Sequence, residues 1–213
     1  MGEIVAPELF DNYYISFFGL NLLNVQMWGK FYSKEFLDKV ILKPSGLAIG
    51  EDLLFNLQLF PHLKKIYIMD ELGYAYRYGG MTSRYNPHLW PNLEYLFKRK
   101  LELIEEYNYH KAKDYVLIEI KNVLMSDVEQ MVLYKIDTRA GIERLIAERL
   151  ESPYWSMLKD VKVQANFVSQ PAVAAILRKD AAAIYNLAVE NNKSQRFKRV
   201  AKRIISKACQ ILR

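Results

Sequence analysis

Cysteine, histidine and long apolar runs are scarce in this chain. Its single cysteine, Cys209, can form neither an intramolecular disulfide nor a cysteine-based zinc site. The three histidines, His62, His88 and His110, are scattered without the spacing of metal ligands. The first ten residues lack the basic start and apolar run of a signal peptide, and nowhere do 18 consecutive apolar residues occur. These absences predict a cytoplasmic protein without a transmembrane helix.

The composition is that of a folded globular protein. With 213 residues, 51% hydrophobic and 25% charged, the chain can form one good-sized domain, or one domain with a small appendage. Aromatic residues make up 13%, with 15 tyrosines among them. Tyrosine offers an apolar face and a polar hydroxyl, which suits sugar and nucleotide sites as well as protein interfaces.

The pattern along the chain predicts an α+β protein that is predominantly helical. Before residue 87, Ser33 is a helix N-cap candidate, Glu51–Phe60 has the pattern of a helix, and Lys65–Asp70 and Tyr74–Tyr78 have the pattern of strands. Beyond Pro87 apolar residues recur at helical spacing, first over 93–104 and then over 116–132. Shorter helices are predicted at 140–150, 153–160, 171–178 and 179–190. We therefore predict two domains, a small α/β piece at 1–86 and a helical region at 87–213.

Three short sequence blocks follow one another along the first piece. They read WGKFY from Trp28, GEDLLFNLQL from Gly50 and YAYRYGGMTS from Tyr74, with KIYIMDELG between the last two. Together they resemble the C-terminal, acceptor-side part of bacterial family 2 glycosyltransferases of the GT-A type. The resemblance covers about residues 20–86 and implies that the first piece is a remnant of a GT-A domain.

The resemblance implies roles for individual residues. Asp52 would be the general base that removes a proton from the acceptor hydroxyl, with Glu51 beside it. Substrate binding would fall to Trp28, Lys30, Tyr32, Arg77, Thr82 and Ser83, with Trp28 on a sugar ring and Lys30 and Arg77 on diphosphate. The alternatives stay open: an acidic first helical turn, a core tryptophan with a surface lysine, and an exposed arginine at a strand end.

The chain departs from the family in its donor half. It has no Asp-x-Asp motif and no glycine-rich phosphate loop, and only 27 residues precede the WGKFY block, where a nucleotide-binding half of about a hundred residues would stand. We therefore expect no metal or cofactor in this chain. Mg²⁺ or Mn²⁺ would come only with the missing half, where it would neutralise the leaving diphosphate. The apolar segment Glu8–Met27 would then lack its native neighbour, which predicts self-association or a partner chain.

The C-terminal tail carries much of the positive charge. Eight basic residues and no acidic one lie between Lys193 and Arg213, whereas acidic residues slightly outnumber basic ones elsewhere. On a helical wheel an apolar arc from Phe197 to Leu212 opposes a basic face, the pattern of a helix lying in an anionic membrane interface. The predicted membrane contacts are Arg196, Lys198, Arg199, Lys202, Arg203 and Lys207. A helix docked on its own domain with a solvated basic face, or a nucleic-acid patch, would give the same pattern.

Two function classes follow. The first is a glycosyltransferase-family protein of cell-surface polysaccharide synthesis, inactive alone, whose partners in a complete enzyme are a nucleotide sugar and a glycan or lipid-linked acceptor. The second is a non-enzymatic interaction or membrane-associated protein derived from that family, peripheral at the inner face of the cell membrane. Nucleic-acid binding is the least favoured interpretation, since the tail has no recognised motif and little aromatic interleaving.

Overall fold

The computed structural model describes residues 2–20, 22–42, 46–69 and 85–195. The chain divides into two compact units, Met1–Glu119 and Ile120–Arg213. The division into 1–86 and 87–213 stays a prediction. In the first unit, Gly50 lies against Leu96.

Helices dominate both units, which confirms the predicted α+β, predominantly helical class. They are α1 (Lys34–Leu37), α2 (Glu51–Leu59), α3 (Leu89–Glu106), α4 (Lys113–Tyr134), α5 (Arg139–Arg149), α6 (Pro171–Leu177) and α7 (residues 181–195). The described residues also include one π-helical segment, Leu9–Tyr13, and four 3₁₀ segments, Tyr14–Phe18, Phe60–His62, His110–Ala112 and Pro153–Asp160. None of the helices in the described part of the chain is long and apolar enough to cross a membrane.

Among the described residues, the only β-structure is a small antiparallel sheet of β1 (Gly2–Val5) and β2 (Lys65–Ile68), paired Gly2 to Ile68 and Val5 to Lys65. β2 falls within the predicted strand Lys65–Asp70. β1 was not predicted, because its four residues carry no alternating pattern. The predicted strand at Tyr74–Tyr78 lies outside the described residues.

The first unit is built around an aromatic cluster. The ring of Tyr14 stacks on Phe10 and Phe60 at centroid distances of 4.9 and 5.7 Å and meets Phe18 edge-on at 4.9 Å. The Tyr14 hydroxyl donates to the carbonyl oxygen of Leu57 at 3.0 Å, so its polar end is satisfied although the residue is fully buried. This burial corrects the expectation that the apolar opening segment lacks a neighbour: its central residues pack inside their own unit.

An ion pair is buried beside this cluster. Lys100 on α3 is 1% exposed, and its Nζ lies 2.5 Å from Oε2 of Glu119 on α4. Burial lowers the pKa of Lys100, and the Glu119 carboxylate opposes that shift. Because a buried charge without its partner is costly, this pair ties α3 to the first two turns of α4, within the first unit.

The second unit has an aliphatic core with one buried ion pair. Side chains of α4, α5, α6 and α7 supply the core, among them Val128, Ile146, Val173 and Ile184. Asp127 is 1% exposed and pairs with Arg149, while its Oδ1 has no hydrogen-bond partner among the described residues. Burial raises the pKa of Asp127, and Arg149 acts in the opposite direction.

Candidate functional site

The loop before α1 is clamped by Lys30. Its Nζ donates to the carbonyl oxygen of Asn24 at 2.6 Å and also to that of Gln26. Burial lowers the pKa of the half-buried Lys30, and the charge of Asp52 opposes that shift. The ammonium group therefore stabilises its own loop, since two of its three N–H donors bond to backbone carbonyls. It also interacts electrostatically with Asp52, the predicted catalytic carboxylate.

Tyr32 and Asn56 join the first two sequence blocks. The hydroxyl of Tyr32 donates to Oδ1 of Asn56 at 3.2 Å. The Nδ2 of Asn56 donates to the carbonyl oxygens of Val25 and Asp52, each at 2.9 Å. Burial raises the pKa of Tyr32 to about 12. One buried amide thus ties the loop of WGKFY to the first turns of α2.

Asn56 was not among the predicted site residues. It is 4% exposed and lies on the buried face of α2, between Leu54 and Leu57. A signal was present in the sequence, since Asn56 is a polar residue within an apolar helical run, four positions after Asp52 and hence on the same face. A buried amide needs hydrogen-bond partners, so that position predicts a polar contact with another segment.

The acidic pair begins α2. Glu51 is exposed and Asp52 is half-buried, both in the first turn, where backbone N–H groups lack helical partners and favour negative charge. Gly50 precedes them at φ 85° and provides no side-chain cap. Gly50 also lies against Leu96, whose Cδ1 would overlap a Cβ placed on residue 50. The backbone conformation and the proximity of Leu96 thus explain why a glycine precedes Glu51 and Asp52.

The other predicted site residues divide into two groups. Trp28 is half-buried in the same loop as Lys30, and the ring of Tyr32 meets Phe55 edge-on at 5.4 Å. The structure therefore brings Lys30, Tyr32 and Asp52 into one cluster around Asn56, which we call the Asn56 cluster. Outside the described residues lie Arg77, Thr82 and Ser83 and the tail residues Arg196, Lys198, Arg199, Lys202, Arg203 and Lys207.

The Asn56 cluster offers a carboxylate, an ammonium group and a phenol. Such groups can accept a proton from a hydroxyl or hold a polyhydroxylated ligand by hydrogen bonds. Across the described ranges no three His, Cys, Asp or Glu side chains gather closely enough to hold a metal ion.

No protein-family model, curated protein or solved structure matches this chain.

Proposed function

We propose that the Asn56 cluster is the acceptor side of a sugar-transfer site, with Asp52 as the general base. The observation that carries the proposal is the buried Asn56 amide, which links Tyr32 to the backbone of Asp52. The first two of the three blocks that carry the glycosyltransferase resemblance are about twenty residues apart in sequence, and Asn56 links them.

The chemistry requires a nucleotide-sugar donor. The acceptor oxygen attacks the anomeric carbon while Asp52 takes the hydroxyl proton, and the bond to the nucleoside diphosphate breaks with its electron pair leaving on the diphosphate. Asp52 suits the base because it is half-buried and fixed by α2, with its backbone carbonyl bound to Asn56. Tyr32 and Lys30 would orient acceptor hydroxyls beside it.

The test is thermal unfolding of the purified chain with UDP-, GDP- and CMP-sugars, with and without Mn²⁺, and with oligosaccharides from bacterial surface polysaccharides. We expect an oligosaccharide acceptor to raise Tm by several degrees, since a ligand at about a hundred times its Kd stabilises by about 2.7 kcal/mol. Asp52→Asn should reduce that shift. Asp38→Asn is the matched control, because Asp38 is exposed and pairs with Lys34 on the surface of α1. No shift with any ligand, or equal shifts in both variants, would contradict the proposal.

A second candidate function is protein–protein interaction without catalysis. Four large apolar side chains between residues 22 and 41 are exposed in the described part of the first unit: Leu22 at 56%, Met27 at 37%, Phe31 at 85% and Ile41 at 92%. Exposed apolar side chains from one chain segment favour a partner surface. Sedimentation velocity over a range of concentrations tests it: association that Phe31→Ser with Ile41→Ser abolishes supports this function, and a monomer at all concentrations argues against self-association.

A further inference from the structure

A cleft in the second unit contains none of the residues of the Asn56 cluster. It has a volume of about 450 Å³ and lies between α4, the start of α6 and α7. That volume is within the usual range for small-molecule sites. Its apolar lining comes from Met125, Pro171, Ala172 and Leu187. Its polar lining comes from α4, from Gln170 just before α6 and from Asn191 on α7.

At one end of the cleft the positive charge of Lys121 has few interaction partners. Nζ of Lys121 lies 3.4 Å from Oε1 of Gln170, a long hydrogen bond, and 5.7 Å from the ring centroid of Phe167. Among the described residues Lys121 has no carboxylate partner, and burial lowers its pKa with no opposing charge. A lysine ammonium has three donors. A bound anion would supply both the missing charge and the missing acceptors.

The other end of the cleft holds a fixed acceptor. Oε1 of Glu129 accepts from Nδ2 of Asn191 at 2.8 Å, and the backbone carbonyl of Glu129 accepts from Nδ2 of Asn192 at 2.8 Å. These bonds attach α7 to α4, and Glu129 lines the cleft. Lys121 and Glu129 are two turns apart on one helix, about 12 Å along its axis at 1.5 Å per residue. The exposed side chains of Asn122 and Ser126 lie between them.

We propose that this cleft binds a small organic anion that carries hydroxyl groups, such as a sugar acid or a sugar phosphate. The anionic group contacts Lys121, and hydroxyls at the far end of the ligand donate to Glu129. A charged group at one end and an acceptor at the other select against neutral sugars and against bare anions. The apolar wall accommodates the carbon skeleton of the ligand. This site belongs to the second unit and does not depend on Asp52.

Isothermal titration of the full chain tests the site with four probes: glucuronate, glucose 6-phosphate, glucose and inorganic phosphate. We expect one or both of the first two to bind measurably more tightly than glucose and phosphate. The carboxylate and phosphate probes separate the two sources of negative charge. Lys121→Gln should weaken binding at least about tenfold, as expected for the loss of a charge-assisted hydrogen bond, and Glu129→Gln should weaken it too.

Two further variants control for charge and folding. Lys121→Arg keeps the positive charge and should retain binding. If it does, weaker binding by Lys121→Gln reflects the lost charge and not a loss of folding. Lys159→Gln is the matched control, because Lys159 is exposed in the same unit and does not line the cleft. The proposal is overturned if neither sugar anion binds, if glucose or phosphate binds as tightly, or if Lys121→Gln and Lys159→Gln bind equally well.

Discussion

At the scale of single residues, Gly50 combines two requirements that a side chain cannot meet. Its φ of 85° is in the left-handed region, and the space where a Cβ would stand is occupied by Leu96. Asn56 is equally specific, since it bonds to Tyr32 and Val25, which lie more than twenty residues earlier in the chain. Lys30 instead bonds to two carbonyl oxygens of its own loop. The geometry of the candidate site therefore depends on a few residues.

Gly50→Ala should lower the free energy of unfolding by about 2–4 kcal/mol, the sum of overpacking against Leu96 and left-handed strain. Gly29→Ala is the control, because Gly29 has φ 74° and a Cβ at that position would meet no described atom within 4 Å, so only the backbone strain of about 1 kcal/mol remains. Urea unfolding of both variants measures the difference. Equal losses would mean that Leu96 simply moves aside.

Tyr32 should make stability depend on alkaline pH. Its pKa is raised from 10.0 to about 12 in the folded chain, so the unfolded chain loses the phenol proton first. The stabilising contribution of the hydroxyl is thus fully present below pH 10 and is lost as pH rises through about 12. We expect the free-energy difference between wild type and Tyr32→Phe in urea unfolding to shrink over that interval. All other tyrosines are common to both proteins, and a difference that stays constant to pH 12 would contradict the shift.

At the scale of elements, the helices are delimited by local signals. Ser33 caps α1 by accepting from the N–H of Phe36 at 3.4 Å, and Thr138 caps α5 by accepting from the N–H of Gly141 at 3.2 Å. Pro171 stands in the first turn of α6, where its missing N–H costs nothing. The predicted helix at 153–160 is instead a run of 3₁₀ geometry, so its position is confirmed and its α-helical period is not.

Thr138→Ala should cost about 1 kcal/mol of unfolding free energy, because one N–H at the start of α5 loses its acceptor. Thr138→Ser keeps the hydroxyl and should cost far less. Thermal and urea unfolding of the two variants provide the comparison. If the two substitutions are equally damaging, the methyl group of Thr138 matters rather than its hydroxyl, and the cap contributes little.

At the scale of the whole molecule, the basic tail predicts attachment to anionic membranes. Residues 196–213 of the tail lie outside the described residues, so the prediction rests on the tail's sequence. Near an anionic surface each Lys or Arg contributes about 1 kcal/mol. We expect the chain to co-sediment with vesicles containing phosphatidylserine at low salt and not with neutral vesicles. Reversing the charge of three tail lysines should abolish sedimentation; the three are Lys198, Lys202 and Lys207.

The matched control for the tail reverses three exposed lysines in the described part of the chain, namely Lys34, Lys39 and Lys159. It changes the net charge by the same amount and should leave vesicle binding largely intact. Equal losses in both triple variants would mean that net charge, rather than the tail, controls attachment. Steeply salt-dependent binding of the wild type to duplex DNA would instead favour the nucleic-acid interpretation.

The sequence by itself determined the helices that are marked by local features, namely apolar spacing and N-terminal residues. Apolar spacing of 3.6 located α3, α4 and α5, and Ser33 and the Glu51-Asp52 pair marked where α1 and α2 begin. Such signals act between neighbours in the chain, so they can be read without knowing the fold. The predicted helical class followed from them.

Only the tertiary structure decided which distant segments meet. The pairing of β1 with β2 joins segments about sixty residues apart. Tyr14 stacks on Phe60, and Asn56 forms hydrogen bonds with Tyr32, Val25 and Asp52. The sequence presented the opening aromatic segment as an unpartnered surface, yet its central residues lie in the core of the first unit. Contacts of this kind depend on shape and on buried polar groups finding partners across the chain, and neither property is encoded in local periodicity.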